Sequence, residues 1–206
     1  MTKDFDKDKN KDLKAKGVAG ARYVTTVAVM AGLLTALKFA LSFLPNVEVV
    51  TLLIAVFSVV WGFRYSLPAT VVFCLVEMAI YGIGGWVLLY FVYWPCLAVI
   101  FHFALRRKSR VVSLVLGVVL GVVFSAIFGV LSASVETLLV VGNVAKDRLA
   151  TFFVSYYVKG LWFDLVHVLS VGASMLALFL PLVKVGERVK KSLDKTPHVE
   201  DENPSA

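Results

Sequence analysis

The segment VVSLVLGVVLGVVFSAIFGVL, Val111–Leu131, decides the fold class of this protein. It contains no charged side chain, and as an α-helix it would rise about 31 Å, close to the hydrocarbon thickness of a bilayer. Its apolar residues run continuously, whereas the strands of a membrane β-barrel alternate apolar and polar residues. The segment therefore predicts a transmembrane α-helix.

The composition extends this prediction to the whole chain. Of 206 residues, 59% are apolar and only 17% are charged. A soluble domain of this size could not bury so much apolar surface. At about 20 residues per membrane helix, the roughly 122 apolar residues supply about six spans. A soluble globular enzyme, a disordered chain and a secreted disulfide scaffold are excluded, and the two isolated cysteines show no metal-site spacing.

The breaks between apolar runs predict an all-α bundle of six transmembrane helices. Pro45 ends the first run, Gly82–Gly85 forms a tight turn, and Arg106–Arg110 forms a short basic loop. Residues 132–156 are too polar for a span, and we expect a long loop there, with room for a short helix lying on the bundle. The predicted spans are 22–44, 48–63, 66–83, 86–105, 111–131 and 157–183.

Charge predicts the orientation of the bundle. Polar tails at 1–20 and 190–206 flank a membrane domain at 21–189, and an even number of spans places both tails on one side. That side carries 17 of the 21 Lys and Arg residues, so the positive-inside rule predicts cytoplasmic termini. The net charge of +7 is then a marker of topology, and no nucleic-acid partner is expected.

Enzyme signatures are missing from the sequence. There is no GxxxxGK[ST] phosphate loop, no HExxH zinc motif and no GxSxG nucleophile elbow, and only three histidines occur. We therefore predict neither catalytic residues nor a metal site. A chain of this kind is expected to bind or move a solute.

Ionisable residues within the apolar runs are candidates for a functional site, because they are costly in hydrocarbon. All but His102 fall towards the predicted outer side, which predicts a polar chamber there. Asp164 and His167 share a helix face, either as a ligand-facing pair or as a carboxylate that orients the histidine. Lys38 could neutralise either Glu48 or Glu77. The eight residues are Lys38, Glu48, Glu77, His102, Glu136, Lys159, Asp164 and His167.

Aromatic residues accompany these charged groups. An interfacial aromatic belt would explain part of the pattern, chiefly Trp86 and Tyr90, whereas Tyr93 and Trp94 lie deeper and suit a pocket. The set is Tyr81, Trp86, Tyr90, Tyr93, Trp94, Tyr156, Tyr157 and Trp162.

Small residues recur every four positions in the first span, at Ala28, Gly32, Ala36 and Ala40. Such a track allows close approach of another helix, either within the chain or from a partner subunit. Gly117 and Gly121 form a shorter track in the fifth span.

Several segments together resemble the substrate-binding S-component of energy-coupling factor (ECF) vitamin transporters. They are ARYVTTVAVMAGLLTALKFAL (Ala21–Leu41), LPNVEVVTLL (Leu44–Leu53) with Trp61-Gly62, VEMAIYGIGGWVLLYFVYWP (Val76–Pro95) and GLWFDLVHVLS (Gly160–Ser170). The resemblance covers about residues 17–190. The chain is most similar to the cobalamin-type S-component of lactic acid bacteria.

The resemblance implies a function, a location and partners. It implies a bacterial plasma-membrane protein that binds a vitamin, here cobalamin or another corrinoid, in an outward pocket, with no covalent cofactor. It also implies docking, through the track in the first span, on a transmembrane coupling subunit that two cytoplasmic ATPases carry. The step from Ala28 to Gly32 departs from a strict AxxxA repeat. The amides of a corrin rim would find partners at Asn46, Glu48, Tyr81, Tyr93 and Asn143.

Two alternatives stay open at the level of sequence. One keeps the family and replaces the corrinoid by a smaller vitamin or precursor. The other is a membrane enzyme with Asp164, His167 and Glu77 as catalytic groups.

Overall fold

The computed structural model describes residues 2–141 and 146–195, with side chains described at 17–141 and 147–195. Within these ranges the chain forms α-helices and no strand. The helices are α1 (Thr2–Ala40), α2 (Val50–Val60), α3 (Phe63–Tyr81), α4 (Gly85–Leu105), α5 (Arg110–Val140) and α6 (Leu149–Lys195), with a 3-10 helix at Lys146–Arg148. The predicted all-α bundle is confirmed at this level.

Five segments in the described ranges are long and apolar enough to cross a membrane, which indicates a multi-pass membrane protein. These are Gly17–Ala40, Phe63–Tyr81, Gly85–Leu105, Arg110–Val140 and Leu149–Lys195. The second predicted span, 48–63, is wrong as a full-length helix. Its helical part, α2, has 11 residues and rises only about 16 Å, roughly half of the hydrocarbon thickness.

The predicted long loop at 132–156 is also wrong, because α5 continues to Val140 and α6 begins at Leu149. The Ser and Thr residues that suggested a loop form hydrogen bonds from their hydroxyl groups to backbone carbonyls of the same helix. Ser134 Oγ donates to the carbonyl of Val130 at 2.7 Å, and Thr137 Oγ1 donates to that of Ala133 at 2.6 Å. Such bonds to the preceding turn let Ser and Thr remain in a helix within an apolar environment.

The polar segments expected as tails continue the terminal helices. Residues 2–20 belong to α1, and residues 190–195 form the end of α6. The predicted domain boundaries near residues 20 and 190 therefore fall inside helices. Met1 and residues 196–206 lie outside the described part of the chain.

Contacts between helices define two ends of the bundle, here called the basic end and the cavity end. At the basic end, Tyr23 OH of α1 donates to the carbonyl of Arg64 at 3.0 Å, at the start of α3. At the cavity end, Lys38 of α1 pairs with Glu77 near the end of α3. Helices α1 and α3 therefore run parallel.

Further contacts place both ends of the membrane domain together. An Arg22 guanidinium nitrogen donates to the carbonyl of Leu193 at 3.4 Å. Arg110, which begins α5, pairs with Glu187 near the end of α6 at 2.9 Å. The N-terminal part of the first span and the C-terminal part of the last span thus lie together at the basic end. The side of the membrane that this end faces stays a prediction from charge.

The short helix α2 lies at the centre of the bundle, where ten of its eleven residues are buried. The residues just before and just after α2 extend its contacts with α6 in both directions along the bundle. Glu48 hydrogen-bonds Ser170, while a Cβ at Gly186 would lie 3.1–3.3 Å from atoms of Trp61 and Val60. The part of α6 from Ser170 to Gly186 rises about 24 Å, so the chain around α2 covers most of the depth of the bundle.

Two tracks of small residues have different surroundings. A Cβ at Gly117 or Gly121 of α5 would lie 2.9 Å from Met175 or Val171 of α6, so these glycines bring α5 and α6 together. The α1 track, by contrast, is exposed at all four positions, Ala28, Gly32, Ala36 and Ala40. Packing within the chain therefore does not explain the α1 track.

Replacing Gly121 by Leu should separate α5 from α6 and destabilise the protein. A leucine has no room beside Val171, and overpacking of this kind costs about 1–3 kcal/mol. The matched control is Gly32→Leu, because an added Cβ there has no neighbour within 4 Å. Thermal unfolding in one detergent should show a lower midpoint for Gly121→Leu alone. Equal midpoints would show that the α5–α6 approach is not tight.

Candidate functional site: a polar and aromatic cavity

A cavity of about 620 Å³ opens at the cavity end of the bundle. The end of α1 and the following linker form one wall, the α3–α4 turn and α4 form another, and α5 and α6 close the remainder. The non-helical linker around Pro45 and Asn46 exposes side chains that a continuous helix would direct elsewhere. The cavity is partly open to the outside of the bundle.

The base of the cavity holds a buried ion pair. Lys38 Nζ contacts Glu77 Oε2, and the Glu77 side chain is only 2% exposed. Of the two partners that the sequence allowed for Lys38, the structure has Glu77. The ammonium also lies 5.0 Å from the ring centroids of Tyr81 and Trp86 and 4.7 Å from that of Tyr90. These distances are within the range of cation–π attraction.

One wall of the cavity is a row of aromatic rings on α4. Trp86, Tyr90 and Trp94 recur every four residues and so share one helix face. Their ring centroids are 5.2 Å and 5.4 Å apart along the row, in edge-to-face geometry. Tyr93 packs behind this row against Trp94 at 4.7 Å and Phe128 at 4.9 Å. Each ring in the row contacts the next.

A second polar cluster joins the α1–α2 linker to α6. Glu48 lies 3.3 Å from His167 Nε2 and accepts hydrogen bonds from the backbone N–H and the hydroxyl of Thr51, at 2.9 Å and 2.6 Å. Ser170 Oγ accepts from the backbone N–H of Glu48 at 2.9 Å and donates to its carbonyl at 3.0 Å. Glu48 thus holds the non-helical linker against α6 and starts α2.

Asp164 reaches the cavity beside α5. Its carboxylate overlaps the position that a Cβ would take at Gly129, so only glycine there leaves it room. His167 makes its described hydrogen bond with Glu48. The Asp164–His167 pair therefore faces the cavity jointly, and a carboxylate other than Asp164 orients the imidazole. Of the three groups considered for an enzyme, Glu77 pairs with Lys38 and His167 contacts Glu48, while Asp164 lies beside Gly129.

Most of the residues proposed from the sequence for the site line this cavity. They are Lys38, Asn46, Glu48, Tyr81, Trp86, Tyr90, Trp94, Lys159, Asp164 and His167. Glu77 and Tyr93 are buried beside it, at 2% and 4% exposure. Asn143 lies outside the described residues.

Trp162, which the sequence predicts for the site, does not line this cavity. Trp162 is 67% exposed, and it precedes Asp164 by two residues, about 200° around the helix. It points away from the face of α6 that carries Asp164 and His167. The neighbouring Phe163 lines the cavity in its place.

Lining residues that were not predicted include Phe128, Ser132 and Phe163. Tyr156 and Tyr157, which the sequence places among the aromatic residues that accompany the predicted chamber, also line the cavity. Phe128 follows Ser125 by three residues, on the small-residue face of α5 that approaches α6. That periodicity was a usable signal for Phe128.

The described residues contain no group of three or more His, Cys, Asp or Glu side chains placed to hold a metal ion. The cavity offers a ligand flat aromatic surface, the ammonium groups of Lys38 and Lys159, and the carboxylates of Glu48 and Asp164. This combination suits an uncharged or mixed-charge organic molecule that has both flat and polar parts.

Comparison of the chain with protein-family models, with curated proteins and with solved structures gives no match. The function is therefore argued from the site itself and from the sequence resemblance.

Replacing Lys38 by Met should destabilise the protein far more than replacing Lys38 and Glu77 together. The single change leaves a carboxylate buried without a cation, at a cost of about 3–5 kcal/mol, whereas replacing both partners of a buried pair by apolar residues is often neutral. Thermal unfolding of Lys38→Met and of Lys38→Met/Glu77→Met in one detergent measures the difference. Equal midpoints would show that the pair does not hold α1 against α3.

Proposed function

We propose that this chain is a high-affinity vitamin-binding S-component of an ECF transporter. In this role it captures a vitamin from outside the cell and delivers it inward with an ATP-driven coupling module. The observation that carries the proposal is the cavity of about 620 Å³, lined by aromatic and ionisable residues, at the end opposite the basic end. A ligand taken up from outside needs such an opening on the side away from the positively charged loops.

The segments that carry the family resemblance are also those that meet at the cavity. LPNVEVVTLL contributes Asn46 and Glu48, Val76–Pro95 contributes the aromatic row, and Gly160–Ser170 contributes Asp164 and His167. These segments are distant in sequence and share no helix. Their convergence supports a ligand-binding role for the motifs that suggested the family.

Cobalamin is the preferred ligand, on the basis of the resemblance to the cobalamin-type S-component. The aromatic row offers a flat surface to a corrin ring, and Lys38, Asn46 and Glu48 offer partners to its peripheral amides. A corrinoid is larger than the cavity and would extend through its open side. The long α5–α6 hairpin around Tyr156 would border the part that protrudes.

A smaller vitamin or precursor is the second candidate, and the cavity volume favours it. Pockets of about 300–1,000 Å³ enclose most of the surface of drug-sized ligands, and 620 Å³ falls within this range. A panel that includes corrinoids and small vitamins therefore distinguishes the two candidates.

In this function, separate partner subunits would hydrolyse ATP, and a coupling subunit would dock on the α1 track. The exposed small residues Ala28, Gly32, Ala36 and Ala40 offer a face on which a helix of a transmembrane coupling subunit can approach closely. Two cytoplasmic ATPases would associate with that coupling subunit. The location that goes with this function is the plasma membrane of a bacterium.

Purified protein should bind cyanocobalamin, and Asp164→Asn should weaken the binding. Loss of one hydrogen bond to a charged group costs about 1.5–3 kcal/mol, which corresponds to tenfold or more in Kd. Isothermal titration calorimetry measures the effect, with Trp162→Phe as the control on the opposite face of α6. Binding of a small vitamin in place of any corrinoid would reassign the ligand, and equal affinities for both variants would move the site away from Asp164.

Replacing Ala36 by Leu should impair vitamin uptake without changing ligand affinity, because a bulky side chain keeps a partner helix away from the track. The matched control is Ala126→Leu, the same change at an exposed position of α5. Uptake of radiolabelled vitamin by cells or proteoliposomes containing the coupling module measures transport, and calorimetry measures affinity. If Ala36→Leu lowered affinity and left assembly intact, the docking role of this face would be refuted.

A further inference from the structure

The base of the cavity presents hydrogen-bond donors that lack acceptors. A lysine ammonium has three N–H donors, and the described hydrogen bond of Lys38 is the one to Glu77. Trp94 Nε1, on a ring that lines the cavity, is buried and has no acceptor among the described residues. Buried donors of this kind are costly unless a partner supplies an acceptor. Both donors lie next to Tyr90, whose ring is 4.7 Å from Lys38 Nζ and 5.4 Å from the Trp94 ring.

Among the described contacts, Glu77 is the hydrogen-bond acceptor of Lys38, and no residue accepts from Trp94 Nε1. Glu77 is 2% exposed, and its carboxylate is committed to Lys38. Lysine and tryptophan side chains have no acceptor of their own. The ligand group that reaches this place must therefore bring an acceptor.

The charge balance at the base favours an acceptor without charge. Lys38 and Glu77 together are neutral, so a ligand carboxylate would bring an uncompensated negative charge beside the Glu77 carboxylate. The faces of Tyr81, Trp86 and Tyr90 turned towards Lys38 are the negative sides of their ring quadrupoles. Burial of an unpaired anion there is costly, whereas a neutral carbonyl needs only the hydrogen bonds that are on offer.

We propose that the base of the cavity is a subsite for a neutral carbonyl acceptor, such as a carboxamide oxygen, which Lys38 Nζ and Trp94 Nε1 bind between the aromatic rings. Lys38, with 19% of its side chain exposed, makes the first contact. Trp94 reaches the same group after a small adjustment of its ring. This inference rests on the proposed vitamin-binding function and adds the chemistry and orientation of the bound end. A corrinoid fits the subsite through one of its peripheral carboxamides.

The first experiment compares carboxamides with their own carboxylic acids on the unmodified protein. The probes are cyanocobalamin with each of its monocarboxylic acids, nicotinamide with nicotinate, and biotinamide with biotin. For the ligand that binds, the amide at the base should bind about tenfold or more tightly than the matching acid at pH 7.5, because the acid leaves a buried anion poorly compensated. Among the monocarboxylic acids of cyanocobalamin, one isomer should bind more weakly than cyanocobalamin itself, namely the isomer whose acid replaces the carboxamide at the base.

The second experiment changes the charge of the subsite. Glu77→Gln keeps a hydrogen-bonding partner for Lys38 and leaves the ammonium without a counter-ion. The preference should then shift by about tenfold or more towards the acid. The matched control is Glu187→Gln, the same change in an exposed pair at the basic end, which should keep the amide preference. Trp94→Phe removes the second donor and should lower the affinity for the amide in a protein that retains the charged pair.

The outcomes separate the subsite from the wider function. Binding of a small amide and of no corrinoid would refute the cobalamin assignment and support the subsite. Tighter binding of the acid by the unmodified protein, or equal binding of acid and amide throughout, would refute the subsite and leave vitamin capture standing. Binding of no amide at all would also overturn the subsite.

Discussion

The ion pair between Lys38 and Glu77 is the interaction on which the architecture of the cavity depends. It joins α1 to α3 at the depth where the cavity begins, inside a bundle that offers few other polar contacts. A buried carboxylate and a buried ammonium are each costly alone, so packing of α1 against α3 is coupled to their contact. The pair also places a cation against the aromatic row of α4, within 5.0 Å of the ring centroids of Trp86 and Tyr90.

The second constraint is the short helix α2 at the centre of the bundle. Because it has only 11 residues, the chain before it crosses the remaining depth as a non-helical linker, which needs partners for its backbone groups in an apolar setting. Glu48, Thr51 and Ser170 supply hydrogen bonds to this region. Glu48, which takes part in each of these hydrogen bonds, also lines the cavity, so the residue that holds the linker against α6 is part of the candidate site.

The sequence allowed the all-α class and most of the cavity residues to be predicted, because hydrophobicity and the rarity of charge in the spans are local signals. The predicted loop at 132–156 was wrong because the polar side chains in this segment do not exclude a helix. Ser134 and Thr137 read as loop residues, yet their hydroxyl groups bond to the preceding turn of α5. Whether Lys38 pairs with Glu48 or Glu77 could not be decided, since the answer depends on how α1 packs. Trp162, by contrast, could have been excluded from the predicted site, because it precedes Asp164 by two residues, and residues two apart lie on nearly opposite faces of a helix.

Helix α1 connects the two parts of the proposed function. Lys38 faces the cavity, while Ala36, two residues earlier and about 200° around the helix, is exposed on the other side. A partner helix packed on the small-residue track would press on the same helix that holds the cation at the base of the cavity. A ligand carbonyl bound at Lys38 and a subunit docked at Ala36 would then act on opposite faces of one rigid element. In the proposed function, coupling between capture and delivery would then require no relay through the rest of the bundle, because a displacement of α1 against α3 would alter both surfaces at once.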